Sequence, residues 1–324
     1  MSSRTLLRLI LLVQALAALG IGAAGVHWLG LNGWQAAALG LGSVALVRLA
    51  INANNFLMAA RAASPTPPEH RITPGAALKM YWEEFSTSML TTSWHMPRAR
   101  VRTRMYPGST APPVLLVHGY GCNSGYWAHL APRLDAACIS HATLDLEPLT
   151  GDIDGYAARI EEAAQRLCAQ AGAAQLIVVA HSMGGLAARA WMRIYGVGRV
   201  ARLITLGTPH HGTCLAAFGL GINAGQMRRM GVAGPECAWL NALAGGEAPE
   251  VRARIVSLYS HHDNIIAPQT SSELPGARNL ALGGVGHVAL GRNPRVLDMV
   301  MSEIEAVRSD RAAPAAMHHR HEVN

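Results

Sequence analysis

The sequence predicts an α/β domain with a mostly parallel, doubly wound sheet and helices on both faces, preceded by a transmembrane helical hairpin. From residue 113 onward, short continuous apolar runs alternate with helix-like stretches, which is the pattern of parallel strands buried on both faces. Ahead of this region, residues 9–47 contain no Asp, Glu, Lys or Arg. A single helical span needs only about 20 apolar residues, so this stretch is long enough for two spans.

The apolar N-terminal region is divided by a turn at His27–Trp34. Two glycines and an asparagine interrupt the helical pattern there, and two tryptophans suit a membrane–water boundary. We therefore expect spans near residues 6–27 and 34–57. A signal peptide is the alternative, because basic residues precede the first apolar run. Against it, apolar sequence resumes directly after the turn, and no Ala-x-Ala site is followed by a soluble start.

The flanking charges predict how this hairpin is oriented. The turn carries no charged residue, and Arg48 falls late in the second span, where its long stem can reach the headgroups. The positive-inside rule then places both ends of the hairpin, and the C-terminal domain, in the cytoplasm. An exported or periplasmic domain is the alternative. The basic residues on which this rests lie before the first span and within or after the second: Arg4, Arg8, Arg48, Arg61, Arg71 and Lys79.

Composition excludes several classes of function. The net charge is +7, but no zinc-finger spacing, RNA-binding signature or Lys/Arg-dense helix is present, so we expect no nucleic-acid partner. The five cysteines include no CxxC, which argues against a zinc site or a disulfide framework and suits a reducing compartment. Cys214 and Cys237 bracket one segment and could bridge if the domain were exported.

Residues 62–110 are expected to connect the hairpin to the domain. Ser64–Pro68 indicates a stiff linker, and Thr73 followed by Pro74 is typical of a helix start. An amphipathic helix over residues 75–91 would either lie on the membrane surface or pack on the domain. Four alternating arginines then predict an edge strand with all four on one face, which would deter aggregation or contact anionic headgroups. They are Arg98, Arg100, Arg102 and Arg104.

The α/β domain is expected over residues 111–308, with a disordered tail at 309–324. Helices are predicted near residues 125–137, 153–171, 183–195 and 294–307. Strands are predicted at residues 114–117, 142–146, 176–180, 201–206, 255–260 and 277–282. Reactive groups in such a sheet gather at the carboxyl ends of the strands.

The most informative motif is Ala180-His181-Ser182-Met183-Gly184-Gly185, which lies between a strand and a helix. A sharp strand–helix turn is the context of a nucleophile elbow, in which the positions two before and two after the serine must be small. Gly184 satisfies this requirement fully, and Ala180 departs from the usual glycine by one carbon. We expect Ser182 to be the nucleophile.

Three further segments supply its partners. His118-Gly119-Tyr120-Gly121 follows the first buried strand, so the backbone N–H of Tyr120, with that of Met183, is expected to form an oxyanion hole. Asp263 follows a strand end and is expected to orient a histidine. His287, in a glycine-rich loop after the last strand, is the expected general base. Its competitors are His261 and His262, beside Asp263, and the poorer acids are Asp154 and Glu273.

Together, these motifs resemble those of bacterial lipases and esterases of the α/β-hydrolase superfamily. The Ala-His-Ser-Met-Gly-Gly elbow, Thr208-Pro209-His210-His211-Gly212-Thr213 and the Tyr-Ser-x-x-Asp block carry the resemblance, which covers residues 112–307. The order Ser182, Asp263, His287 is the one this fold uses. The resemblance implies an α/β-hydrolase fold and hydrolysis of triacylglycerols or shorter acyl esters. It does not cover the predicted hairpin, which for its part predicts a location at the inner membrane of a bacterium. Some such lipases carry a structural calcium, but no convincing carboxylate cluster occurs in this sequence.

We therefore expect a membrane-anchored carboxylesterase or lipase that works through an acyl-enzyme and needs no cofactor or metal. The insertion at residues 213–252 is apolar and contains methionines, which suggests a cap that forms the acyl pocket. A thioesterase or acyltransferase with the same triad is the alternative, and an inactive membrane-bound binding protein is a remote one. Protein partners are not indicated. Candidate substrate-binding residues are His118, His181, His210, Phe218 and Met227.

Overall fold

The structure, a computed structural model, describes the backbone of residues 2–321 and the side chains of residues 2–309. Within them, seven strands form one sheet in the order β1-β3-β2-β4-β5-β6-β7. All neighbouring strands are parallel except β1, which pairs with β3 in the antiparallel sense. The strands are β1 (Thr103–Arg104), β2 (Val114–Val117), β3 (His141–Leu144), β4 (Leu176–His181), β5 (Val200–Leu206), β6 (Ile255–Ser260) and β7 (Arg278–Leu282).

Helices cover both faces of this sheet, so the predicted doubly wound α/β class is confirmed. Neighbouring residues of β2 show why its sequence is continuously apolar, because Leu115 and Leu116 point into separate hydrophobic cores on opposite faces. The helices are α1 (Ser3–Leu29), α2 (Gly33–Arg61), α3 (Pro74–Leu90), α4 (Met96–Arg98), α5 (Ala131–Ala136), α6 (Ala157–Ala171), α7 (Met183–Tyr195), α8 (Ile222–Gln226), α9 (Ala238–Gly245), α10 (Pro249–Arg252) and α11 (Pro294–His321).

The helices α1 and α2 form an antiparallel pair, and both are long and apolar enough to cross a membrane. Their backbones approach closely through small residues, since a Cβ at Gly40 would lie 2.1 Å from the carbonyl oxygen of Ala18. Asn32 caps α2 and exchanges hydrogen bonds with Gln35, so the turn is locally encoded. Most large apolar side chains of the pair are exposed, which is suited to lipid rather than water.

Arg48 of α2 does not extend outward from the helix as expected. Its Nε donates to Gln14 Oε1 at 3.0 Å and its Nη1 donates to Ser93 Oγ at 2.7 Å. A charge within an apolar helix is costly unless polar groups surround it. Arg48 therefore joins α1, α2 and the segment that follows α3.

The helix α3 begins at the expected cap, because Thr73 Oγ1 accepts the N–H of Ala76 and Pro74 occupies the first turn. It packs on the α/β domain rather than lying free, through a buried Glu84 described below. It continues through residues 91–95 into α4.

The prediction that four alternating arginines share one strand is wrong for three of them, because only Arg104 lies in β1. Arg98 ends α4, with its guanidinium 3.7 Å from the ring centroid of Trp94. Pairing with β3 begins only at Thr103, so β1 is a very short edge strand. The helical path of the chain through Pro97 prevents the four side chains from sharing one strand face.

The sequence also makes predictions about the last helix and about the chain between β5 and β6. The last helix, α11, is continuous through residue 308, where the disordered tail was expected to begin, and residues 322–324 lie outside the described residues. Between β5 and β6 the chain folds as a short 3₁₀ helix (Cys214–Phe218) followed by α8, α9 and α10. Cys214 and Cys237, in this segment, are free thiols.

Candidate active site

Ser182 lies in the turn between β4 and α7. Its backbone has φ 55° and ψ −129°, a region that costs of order 1–3 kcal/mol and persists only where the surroundings enforce it. Its N–H donates to the carbonyl of Leu206 at 2.9 Å, and its carbonyl accepts the Thr208 hydroxyl at 2.8 Å. A Cβ at Gly184 would lie 2.5 Å from the carbonyl oxygen of His118. The turn is therefore held from several sides, and only glycine fits two residues after the serine.

Asp263 and His287 form a buried pair at the same end of the sheet. His287 Nδ1 lies 2.7 Å from Asp263 Oδ2, while Asp263 Oδ1 accepts the N–H groups of Ile265 and Ile266 at 2.8 and 2.7 Å. The N–H of His287 donates to Asn264 Oδ1 at 2.9 Å. Both the ring and the backbone of this histidine are thus fixed.

This pair lies beside the elbow. The ring of His287 is 4.6 Å, centroid to centroid, from the ring of His181, which directly precedes Ser182. Gly207 follows Leu206, whose carbonyl accepts the Ser182 N–H. A Cβ at Gly207 would lie 3.0 Å from Asp263 Oδ2 and 3.2 Å from His287 Nδ1, so this glycine faces the pair. The fold thus brings together the three residues expected to form a triad.

A buried carboxylate from α3 braces the same loop, and the sequence analysis missed it. Glu84 accepts the N–H of Val288 at 3.0 Å and that of Ala289 at 2.8 Å, directly after His287. A Cβ at Gly286 would lie 2.5 Å from Glu84 Oε2. Burial raises the pKa of Glu84, and the two N–H groups and His287 partly counter this effect.

The electrostatics of His287 favour its role as a base that becomes cationic. Burial opposes its protonation, but the charge and hydrogen bond of Asp263, together with the charge of Glu84, outweigh burial and raise the pKa of His287. A buried imidazolium is stabilised by such neighbours. The site therefore accepts a proton on His287 more readily than an ordinary buried histidine would.

The two expected oxyanion donors come from the elbow itself and from the loop that follows β2. Met183 is the first residue of α7, where a backbone N–H has no preceding carbonyl in the helix to bond. The loop carrying Tyr120 approaches Ser182 closely, since a Cβ at Gly119 would lie 2.7 Å from Ser182 Cβ. The Tyr120 hydroxyl donates to the carbonyl of Leu220 and accepts its N–H, each at 2.8 Å. This loop is thereby tied to the segment before α8.

Three of the candidate substrate-binding histidines are buried and occupied elsewhere. His118 Nε2 accepts a backbone N–H at 2.9 Å, His181 stacks on Tyr126 with ring centroids 4.0 Å apart, and His210 lies 3.2 Å from the guanidinium of Arg189. Burial lowers the pKa of all three. They support the walls of the site as neutral side chains.

The rival bases are also accounted for. His262 Nδ1 accepts the N–H of Gly284 at 3.1 Å, and His261 stacks on His70 with ring centroids 4.9 Å apart. Burial lowers the pKa of each of these histidines. The histidine that lies within hydrogen-bond distance of the Asp263 carboxylate is His287 rather than His261 or His262.

A cavity of about 640 Å³ opens beside Ser182. Phe218 and Met227, the two apolar candidates, line it. Three residues of α2 also line it, and no sequence pattern predicts this, because more than a hundred residues separate that helix from the elbow. They are Asn54, Asn55 and Met58.

The chain between β5 and β6, which forms the segment over the cavity, is anchored by a buried ion pair. Arg189 of α7 binds Glu247 in a bidentate manner, with Nε–Oε1 at 2.6 Å and Nη2–Oε2 at 2.7 Å. Arg252 adds a contact to the same carboxylate at 3.2 Å. Both members of the main pair are almost wholly buried, so the segment between β5 and β6 is fixed to the helix that carries the elbow.

Comparison with known proteins supports this architecture. The family model described as "alpha/beta hydrolase fold" matches residues 112–230. Mature Bacillus licheniformis lipase BlEst2 is 20% identical with a TM-score of 0.52, over 63% of this chain and 98% of that one. Aspergillus fumigatus lipase B is 18% identical with a TM-score of 0.51, over 73% of this chain and 62% of that one. The chain has an α/β-hydrolase fold, which confirms the fold expected from the resemblance.

Proposed function

We propose that this protein is a membrane-anchored serine hydrolase that cleaves carboxylic esters. The observation that carries the proposal is Ser182 in a strained strand–helix turn, beside the buried Asp263–His287 pair. The family match and the likeness to lipases support hydrolase chemistry at a coarse level. The two apolar helices support anchoring in a membrane.

The arrangement accounts for each step of ester cleavage. Ser182 Oγ attacks the ester carbonyl carbon while His287 Nε2 takes its proton, and Asp263 stabilises the resulting imidazolium. The N–H groups of Met183 and Tyr120 bind the oxyanion of the tetrahedral intermediate. His287 then protonates the departing alkoxide, which leaves as the alcohol. Water attacks the acyl-enzyme by the same route, releases the acid and restores Ser182.

A serine-directed experiment tests this proposal. The wild type should react with a fluorophosphonate probe and hydrolyse p-nitrophenyl esters. Ser182→Ala should lose the labelling and at least about 10⁴-fold in kcat, whereas Ser109→Ala, near the opposite end of the sheet, should retain both. Turnover that survives in Ser182→Ala would assign the nucleophile elsewhere. Assays with a CoA thioester and an alcohol acceptor separate ester hydrolysis from thioester hydrolysis and acyl transfer.

The orientation of the anchor has its own test. We propose that the catalytic domain faces the cytoplasm, because the basic residues lie at both ends of the hairpin and not in its turn. Alkaline phosphatase fused to the C-terminus should then be inactive, since it requires export. An active fusion would place the domain on the other side of the membrane.

A further inference from the structure

The cavity beside Ser182 is shared between the α/β domain and the membrane hairpin. Asn54, Asn55 and Met58, in the last part of α2, line the same cavity as Ser182. We infer that α2 forms one wall of the acyl-binding site and that the substrate is an uncharged fatty-acyl ester of the glyceride class, taken directly from the bilayer. This inference rests on the proposed ester hydrolysis and names its substrate.

The position of these residues along α2 matches the depth of lipid esters. At 1.5 Å per residue, Asn54 lies about 30 Å along the helix from Trp34, which is the thickness of the hydrocarbon core. Trp34 is highly exposed and suits one membrane boundary. Residues 54–58 then fall at the other boundary, which is where the ester groups of glycerolipids lie.

The segment over the cavity continues this membrane-facing surface. The 3₁₀ helix Cys214–Phe218 packs against α2. Phe218 at its end, and Leu220 and Ile222 after it, are 62–74% exposed. A contiguous apolar surface of this kind marks a partner or a membrane, and here it adjoins a helix that already suits lipid. Each such side chain favours transfer from water by up to about 2 kcal/mol.

The lining of the cavity selects the chemistry of the ligand. Most lining side chains are apolar, including Leu215, Met227 and Ile266, and none of those described carries a charge. An acyl chain suits this surface, and the amides of Asn54 and Asn55 offer neutral hydrogen bonds at the α2 side. A phosphate drawn into this lining would meet no charged side chain there, which is costly; Arg61, whose Nη1 lies 3.2 Å from Met58 Sδ, is exposed outside the lining. A neutral acylglycerol carries no such charge.

A cavity-filling pair of variants tests the inference in the full chain, reconstituted in phosphatidylcholine vesicles. Met58→Trp narrows the α2 wall, and Leu57→Trp places the same side chain at the adjacent, 54% exposed position, which does not line the cavity. We expect Met58→Trp to lower kcat/KM for dioleoylglycerol by at least about tenfold and to lower it less for soluble p-nitrophenyl butyrate, whose short acyl chain fills less of the cavity. Leu57→Trp should change neither. Equal behaviour of the two variants on dioleoylglycerol would overturn the inference.

A second measurement does not depend on how well the tryptophan variant folds. A photocrosslinking benzophenone residue is placed at position 58 or at position 57, and Ser182 is labelled with hexadecyl fluorophosphonate, which itself reports a folded site. Irradiation should join the alkyl chain to position 58 and not to position 57. A chain that crosslinks to neither position, or equally to both, runs elsewhere and refutes the inference.

Assays of the wild type distinguish failure of this inference from failure of the proposed function. Dioleoylglycerol should be cleaved at least about tenfold faster than phosphatidylglycerol in the same vesicles. If the wild type hydrolyses p-nitrophenyl butyrate but cleaves neither lipid, or prefers the phospholipid, the inference fails and the proposed function stands. If Ser182 is not labelled and no ester is cleaved, the proposed function fails and the inference fails with it.

Discussion

Glu84 provides a sharp test of how the N-terminal region supports the candidate active site. Its two carboxylate oxygens accept the backbone N–H groups of Val288 and Ala289, which directly follow His287. The side chain is almost wholly buried. Glu84→Gln changes the charge with almost no change in shape, so it isolates what the carboxylate contributes.

The magnitude follows from these contacts. A hydrogen bond to a charged group contributes about 1.5–3 kcal/mol. The glutamine retains an acceptor for one N–H but places an amide donor against the other, so we expect unfolding to become easier by about 2 kcal/mol. Asp263 and Asn264 still hold His287. We therefore expect about half of this free energy to appear as a higher activation barrier. This corresponds to a fall in kcat of about fivefold, with KM little changed.

The pH profile distinguishes positioning from simple stabilisation. His287 must be neutral to accept the Ser182 proton, so kcat/KM rises with pH as His287 loses its own proton. The charge of Glu84 is one of the influences that raise the pKa of His287. Removing that charge lowers the pKa of His287, so the acid limb should move to lower pH in Glu84→Gln.

The assay is p-nitrophenyl butyrate hydrolysis across the acid limb, with urea unfolding measured in parallel. Glu83→Gln is the matched control, because Glu83 accepts from Asn293 at 2.7 Å, six residues after His287, whereas Glu84 accepts the N–H groups of Val288 and Ala289 directly after it. A folded Glu84→Gln enzyme with the wild-type kcat and acid limb would refute the reasoning. Loss of stability alone, with an unmoved acid limb, would assign Glu84 a purely structural role.

Two further substitutions test the attachment of the segment over the cavity. Tyr120→Phe removes both hydrogen bonds to Leu220, which contribute about 1 kcal/mol each. We expect KM for long-chain esters to rise about fivefold while kcat is retained. A collapse of kcat alone would instead show that the hydroxyl acts in the transition state. Arg189→Met leaves the Glu247 carboxylate buried without its main partner, so urea unfolding should show a loss of about 3 kcal/mol. Arg166→Met, which breaks an exposed pair, should cost less than about 0.5 kcal/mol, and equal losses would contradict the assignment.

The sequence by itself determines the features that depend on neighbours along the chain. The apolar runs of β2 and β4 predict a sheet covered on both faces, because each strand has to bury both sets of side chains. The elbow at Ser182 can be recognised from the local sequence, since small residues at 180 and 184 allow a strand to meet a helix, although His118 and Thr208 hold the turn in the fold. The continuous apolar sequence before residue 48 predicts the two long N-terminal helices, since this pattern also depends on neighbours along the chain.

Local pattern failed where another segment competed for the same residues. The alternating arginines predict a strand, but the helix that includes Pro97 continues through Arg98, and pairing with β3 starts only at Thr103. An arginine late in an apolar span is typical of a headgroup contact, yet Arg48 donates hydrogen bonds to Gln14 and Ser93 within the fold. Alternation and charge do not encode which distant polar group lies within reach.

Tertiary structure alone decided which residues share the space around Ser182. Glu84 and Met58 are separated from the elbow by about a hundred residues or more, and neither belongs to a motif. Glu84 approaches His287 because α3 packs against the loop that follows β7, and Met58 enters the cavity because α2 packs beside the segment that follows β5. Such contacts arise from the packing of whole helices. A sequence read residue by residue predicts a nucleophile, but the surfaces that support Ser182 and enclose its cavity appear only in the folded chain.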